Sequence, residues 1–249
     1  MNHSQLRLLR CLAIAALLAR VPLECVAQTG AASPPDADFH SIFDGKTLAG
    51  WQGDPKYWRV ENGSLVGEVT PETVMKQNSF IIWRGGTTRD FELKLEYRIS
   101  AHGNSGINYR STEVTGVPFS LRGYQADIDG QERNKPPLRH AGQNYEERGR
   151  TFLARRGEMV RVDPGPKITV IGSLGASEAL AGLLKSDDWN SVHLIARGNT
   201  LTHIFNDHVM SVVVDDDPTN RRLDGLLGVQ VHVGPPMKVE FRNIRLKQK

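Results

Sequence analysis

Thiol chemistry is the first thing this chain lacks. Its two cysteines, Cys11 and Cys25, both fall in an N-terminal stretch with the form of a secretory leader. Arg7 and Arg10 supply a basic start, Leu12 to Ala19 a short apolar run, and Cys25-Val-Ala27 the small residues a signal peptidase reads. That run is too short to span a bilayer. Residues 1–27 are therefore expected to be an export signal that is removed, residues 28–38 a linker rich in Pro, Ala and Ser, and residues 39–249 the working domain, in the periplasm or outside the cell. Without thiols the mature chain has no disulfides, cysteine nucleophiles or zinc–thiolate sites.

Charge of one sign is missing too. The formal net charge of +3 falls to +1 once Arg7, Arg10, Arg20 and Glu24 leave with the leader. No basic run is interleaved with aromatics, so nucleic acid is not expected as a partner, and no membrane span is expected. No histidine pair has helical metal-ligand spacing, and there is no nucleophile elbow, phosphate loop or dinucleotide fingerprint. No period of about 20–50 residues repeats, which disfavours a propeller or solenoid. Helix is scarce: only Ala176 to Lys185 reads as one, with Ser177 as N-cap and Lys185 suiting the dipole at its end.

What the chain does have is strands. From Asp90 to Ser100, Phe91, Leu93, Leu95, Tyr97 and Ile99 alternate with Glu92, Lys94, Glu96 and Arg98, which is a strand with one buried and one wet face. Ser105 to Arg110 and Gly123 to Asp129 follow as a second and third strand. Tyr57 to Gly67 folds about Asn62-Gly63, a strong hairpin signal, and Asp188 to Asn206 turns at Gly198-Asn199. Phe39 to Phe43, Phe80 to Trp83, Gly225 to His232 and Lys238 to Leu246 complete the set. Many short strands and one helix predict an all-β protein, an antiparallel β-sandwich of jelly-roll type with one short helix. Apart from the third strand, Ser111 to Gly165 is rich in Arg, Glu, Gly and Pro and reads as one long excursion of the functional kind.

Strand spacing also groups the polar residues. Asn108 and Arg110 share a face, as do Gln125, Asp127 and Asp129, and as do Gln230 and His232. Side by side, these would accept, donate and move protons. Asp127 and Asp129 suit either a divalent cation or plain hydrogen bonding; no other cofactor is implied. In the excursion, Tyr145, Glu146 and Arg150 bring aromatic, acidic and basic groups together. His203 alternates with Leu201 and Phe205 and reads as core-facing, His193 as a surface residue, and at least three of Trp51, Trp58, Trp83 and Trp189 as core.

Seven short motifs then appear in one order: Phe43 to Trp51, Trp58 to Gly67, Asp90-Phe-Glu-Leu93, Gly103 to Ile107 with Arg110, Gly123-Tyr-Gln125, Asp188-Trp-Asn190 and Phe241 to Leu246. In these the chain resembles the 3-keto-disaccharide hydrolase domain family over nearly its whole mature length. The resemblance implies a concanavalin A-like, laminin-G-like jelly roll, a carbohydrate partner and action on glycosides whose sugar carries a 3-ketone. Gln125 and Asp127 exchange the acid and amide of a commoner family form, keeping an acid on that face but moving it by two residues. A 3-ketone acidifies the C2 hydrogen, so a base can remove it and expel the C1 oxygen. On this resemblance His232 or Asp127 is the expected base, Arg110 or a bound cation the partner of the enolate, and Gln125, Gln230 and Tyr124 the positioning groups. Asn108, Asp129, Tyr145 and Glu146 are expected to touch substrate. The alternatives are a non-catalytic carbohydrate-binding module on the same fold and conventional hydrolysis by paired carboxylates.

Overall fold

The computed structural model describes residues 36–249 apart from 134, 135 and 137; the expected export signal and most of the linker lie outside these. In chain order the strands are β1 (His40–Ser41), β2 (Trp51–Gln52), β3 (Trp58–Glu61), β4 (Ser64–Val69), β5 (Ser79–Trp83), β6 (Phe91–Ile99), β7 (Asn104–Glu113), β8 (Leu121–Asp129) and β9 (Asn144–Glu147). They continue as β10 (Thr151–Ala154), β11 (Glu158–Asp163), β12 (Lys167–Ser173), β13 (Asn190–Arg197), β14 (Thr200–Phe205), β15 (His208–Asp215), β16 (Leu226–Val231) and β17 (Met237–Gln248), with the helix α1 (Ser177–Ala181) between β12 and β13.

Two sheets result. One runs β12, β11, β15, β14, β13, β6, β17, β4, β3, with β1 also paired to β17; the other runs β10, β9, β8, β7, β16, β5, β2. Neighbours are antiparallel, except that β11 lies parallel to β15. Alternation explains why the sheets face each other. Along β6, Phe91, Leu93, Leu95, Tyr97 and Ile99 are buried while the residues between them stay half-exposed. From the other sheet, Ile107, Tyr109, Tyr124, Ala126 and Ile128 enter the same core. Each large apolar side chain so buried stabilises the fold by about 1.5–3 kcal/mol. Asn62 and Gly63, with φ of 49° and 77°, make the type I′ turn that joins β3 to β4. The fold is an all-β sandwich of jelly-roll type with one short helix.

Two expectations need correcting. Ser111 to Gly165 is not one excursion, because β9, β10 and β11 lie within it in addition to β8. Strand β9 escapes pattern reading because it is polar on both faces. The helix is also shorter than expected: it ends at Gly182, its N-cap is Ala176 with no side-chain cap bond, and Ser177 lies inside it and Lys185 beyond it. Trp51, Trp58 and Trp83 are in the core, whereas Trp189 stacks under the Arg242 guanidinium at 3.8 Å.

Candidate active site

The outer face of the seven-stranded sheet carries a cavity of about 280 Å3. Its floor follows from strand alternation: Tyr124 and Ala126 point into the core, so Gln125 and Asp127 point out. Gly106 on β7 is opposite Asp127, and a Cβ there would lie 2.3 Å from the Gln125 carboxamide carbon. Glycine thus lets the Gln125 side chain lie flat across β7 towards β16. There Gln230 Nε2 donates to Gln125 Oε1 at 3.3 Å, which turns Gln125 Nε2 onto Asp127 Oδ1 at 2.6 Å. Asp127 is 6% exposed. Burial, reinforced by the nearby Asp129 and Glu147 charges and only partly opposed by Gln125, raises its pKa well above the ordinary carboxylate range.

Around this floor stand residues from several other segments. His232, just past β16, donates from Nδ1 to the Val233 carbonyl at 2.5 Å. Burial lowers its pKa; the Val233 carbonyl opposes the shift and Arg133 and His140 add to it. The imidazole is therefore neutral with its free lone pair on Nε2. Asn78 accepts from Val233 N at 2.9 Å and donates to Glu147 Oε1 at 3.4 Å, tying the end of β16 to β9. Glu147 is itself pushed up by burial, and burial also raises the Tyr145 phenol, keeping it protonated. Asn104, His140 and Phe152 complete the lining.

Of the residues expected from the sequence, Gln125, Asp127, Tyr145 and His232 line the cavity, and Gln230 supports it from beneath. The others do not. Arg110 has the right parity but sits where the β7–β8 register shifts, with φ of 46°. This bulge aims its fully buried guanidinium at the carbonyls of Arg89, Gly198 and Arg222 and at Asp90. Tyr124 points into the sandwich, where its hydroxyl donates to Asp215 at 2.5 Å. Glu146 faces inward too, paired with Arg150. The acid on the cavity side is its neighbour Glu147, which the two-residue spacing from Tyr145 reveals. Asn108 is completely covered. Asp129 spends its carboxylate on the backbone N–H groups of His140 and Ala141, at 3.1 and 2.9 Å, so it holds the loop that carries His140. Asp127 and Asp129 are thus turned to different partners, and among the described residues no three His, Asp or Glu side chains are grouped to hold a metal ion. Asn78, His140 and Phe152 lie in loops or a short strand with no sequence signature, whereas Asn104 opens β7 within the Gly103 to Ile107 motif.

A larger cavity, about 500 Å3, lies beside Lys94, Glu96 and His193 on the other sheet. Size does not decide between the two. There His193 is engaged with Glu92 at 3.0 Å and Glu96 with Arg242, whereas the smaller cavity gathers a neutral imidazole and carboxyls made basic by burial.

Residues 38–247 match the model of the 3-keto-alpha-glucoside-1,2-lyase-like domain. The chain belongs to this family. Among curated relatives it is similar to a 3-keto-disaccharide hydrolase of Bacteroides thetaiotaomicron, 38% identical over 90 residues; the match covers 33% of this chain and spans only 31% of that protein. Two solved structures share the lyase-like domain's fold. A Parabacteroides distasonis protein provisionally described as a glycosyl hydrolase superposes with a TM-score of 0.54 at 15% identity, covering 85% of this chain and 99% of that one. A Bacillus subtilis protein of unknown function with a galectin-like fold superposes with a TM-score of 0.52 at 12% identity, covering 81% and 90%.

Proposed function

We propose that this member of the family is an exported enzyme that cleaves 3-keto-glycosides by elimination and then hydrates the product, a net hydrolysis. One observation carries the reading: a neutral histidine with a free Nε2 shares a small cavity with a buried carboxyl held protonated. In the first step His232 Nε2 takes the C2 proton, and the electron pair of that bond forms the enolate of the C3 ketone. The enolate then collapses, C1=C2 forms, and the C1–O bond breaks towards the leaving group. Asp127 accepts Gln125 Nε2 on Oδ1, which leaves Oδ2 to carry the proton given to the departing oxygen. The protonated Tyr145 hydroxyl is a neutral donor for the enolate oxygen, the part the resemblance gave to Arg110 or a bound cation. Water then adds at C1 and gives its proton to the Asp127 carboxylate, while His232 returns its proton to C2, so both groups regain their starting states.

The paired-carboxylate alternative is less well supported, because both carboxyls, Asp127 and Glu147, are raised by burial and neither is a ready anionic nucleophile. The deciding experiment gives the purified mature protein 3-keto-glucosides and the matching unoxidised glucosides and follows aglycone release, with C2-deuterated substrate as a check on proton abstraction. Release from the keto substrates alone, slowed by deuterium, is expected. Equal release from unoxidised glucosides would sink the elimination; no release, with calorimetric binding of intact glycans, would make this a carbohydrate-binding module. Export is tested by sequencing the N-terminus of protein recovered from the periplasm or medium, where Gln28 is expected and Met1 would contradict it.

A further inference from the structure

The floor and the wall of the cavity are chemically unlike. Gln125, Asp127 and Gln230 beneath are buried and polar, but on one side three rings stand half-exposed together. Tyr145 and Phe152 are direct cross-strand partners in the β9–β10 hairpin, with ring centroids 5.0 Å apart at 60°. His140, held by Asp129 in the loop before β9, stacks on Phe152 at 5.2 Å and 15°. Most other large rings of the domain are put to a different use: Phe80, Phe91, Phe205, Phe241, Tyr97, Tyr109 and Tyr124 lie in the interior. An aromatic row left at the mouth of a polar pocket is a surface without its complement. The C–H face of a sugar ring supplies one, since packing it there removes apolar area from water on both sides.

A second sign points to a ligand at the same place. His140 Nδ1 is buried and has no hydrogen-bond partner among the described residues, a costly condition that a ligand hydroxyl would relieve. The cavity itself, about 280 Å3, is at the small end of ligand sites, so a ring seated over Asp127 leaves the rest of a disaccharide to extend outward. Strand β10 is the edge of its sheet, so nothing in that sheet blocks the way past the wall.

We propose that His140, Tyr145 and Phe152 form a second subsite that stacks the leaving half of the substrate, and that this half is a sugar ring and not an alkyl chain. The assignment of the leaving half rests on the elimination reading above; the stacking surface does not. Phe152 tests it, being outside the proton-transfer machinery. Phe152→Leu keeps bulk and removes the aromatic face, and Phe152→Ala removes both; thermal melts establish that each variant is folded. With a 3-keto disaccharide, Phe152→Leu is expected to raise KM about three- to tenfold with kcat unchanged, while KM for the methyl 3-keto-glucoside stays within about twofold. Equal effects on both substrates, or none on either, would overturn the subsite. Saturation-transfer NMR with the unoxidised disaccharide, which cannot eliminate, gives a readout independent of turnover: contacts to the reducing-end ring are expected in the wild type and lost in Phe152→Ala. If those contacts appear but no keto substrate is cleaved, the elimination fails and the subsite stands. If cleavage proceeds and no contact depends on Phe152, the subsite fails alone.

Discussion

Asp127 is a carboxyl kept neutral by its surroundings, and that has consequences for both rate and stability. Because its folded pKa lies above the unfolded value, the native state binds more protons than the unfolded chain between the two, so stability falls as pH rises through that window. Asp127→Asn removes the cost of taking up a proton on folding. It should raise Tm at neutral and alkaline pH and have little effect near pH 3, while lowering kcat about 100- to 10,000-fold as expected for a lost general acid; melting curves across pH with parallel rate assays check both halves. The wild-type rate should be bell-shaped. His232 must be deprotonated, and its pKa is lowered from 6.5, so the acid limb lies below that value. Asp127 must be protonated, so the alkaline limb follows its raised pKa. A profile of kcat/KM rising monotonically with pH would remove Asp127 as the acid. These two residues were legible in the sequence because alternation alone sets their face. Glu147 was not read, since Glu146 beside it offers the same side chain to the opposite face, and only the two-residue spacing from Tyr145 says which of the two meets the cavity.

Elements decide what alternation cannot. The bulge at Arg110 reverses the parity that holds as far as Asn108, and a bulge leaves no clear mark in Tyr-Arg-Ser. Its guanidinium bridges the segment before β6, the β13–β14 turn and the loop before β16 through three carbonyls. Arg110→Ala should therefore destabilise the domain by about 3–5 kcal/mol, measured by urea unfolding, yet leave KM and kcat of the folded fraction close to wild type; a selective loss of kcat would restore it to the mechanism. Gly106 makes the opposite prediction. Its backbone is ordinary strand and needs no glycine on conformational grounds; what it provides is space for Gln125. Gly106→Ala should displace that side chain, free Asp127 Oδ1 and lower kcat at least about tenfold with Tm changed by only a few degrees, a pattern that separates a positioning role from a structural one. The hairpin β3–β4 and the alternating strand β6 were readable because turn chemistry and burial agree there. The short strands β9 and β10, which carry the wall, were not: β9 has a polar layer on one face and a polar cavity on the other and so no hydrophobic period, and the four residues of β10 are too few to show one.

At the scale of the molecule, the sandwich encloses a polar layer within an otherwise apolar core. Tyr109, Tyr124, His203, Asn144, Glu146, Arg150 and Asp215 meet between the sheets, with Arg150 bridging Glu146 and Asp215. His203 is held by three of its neighbours: Asn144 Nδ2 donates to the Tyr109 hydroxyl at 3.1 Å, that hydroxyl meets His203 Nε2 at 2.8 Å, and Ser211 Oγ lies 3.3 Å from Nδ1. Burial pulls its pKa from 6.5 down to about 3, with the Gln143 carbonyl opposing. Between those values the unfolded chain binds a proton on this histidine and the native state does not, so stability is lost as pH falls from 6.5 towards 3 and is unaffected above. His140 and His232, both lowered by burial, act in the same direction over the upper part of that window. Residues 38–247 contain no cysteine, so this domain has no internal disulfide and only this packing to resist acid. His203→Gln keeps a neutral donor and acceptor in the layer and removes the titration. Proton uptake on unfolding, taken from the slope of stability against pH between 3 and 6.5, should fall by about one in that variant; an unchanged slope would mean that His203 remains solvated or charged inside the sandwich and that the polar layer is open to water.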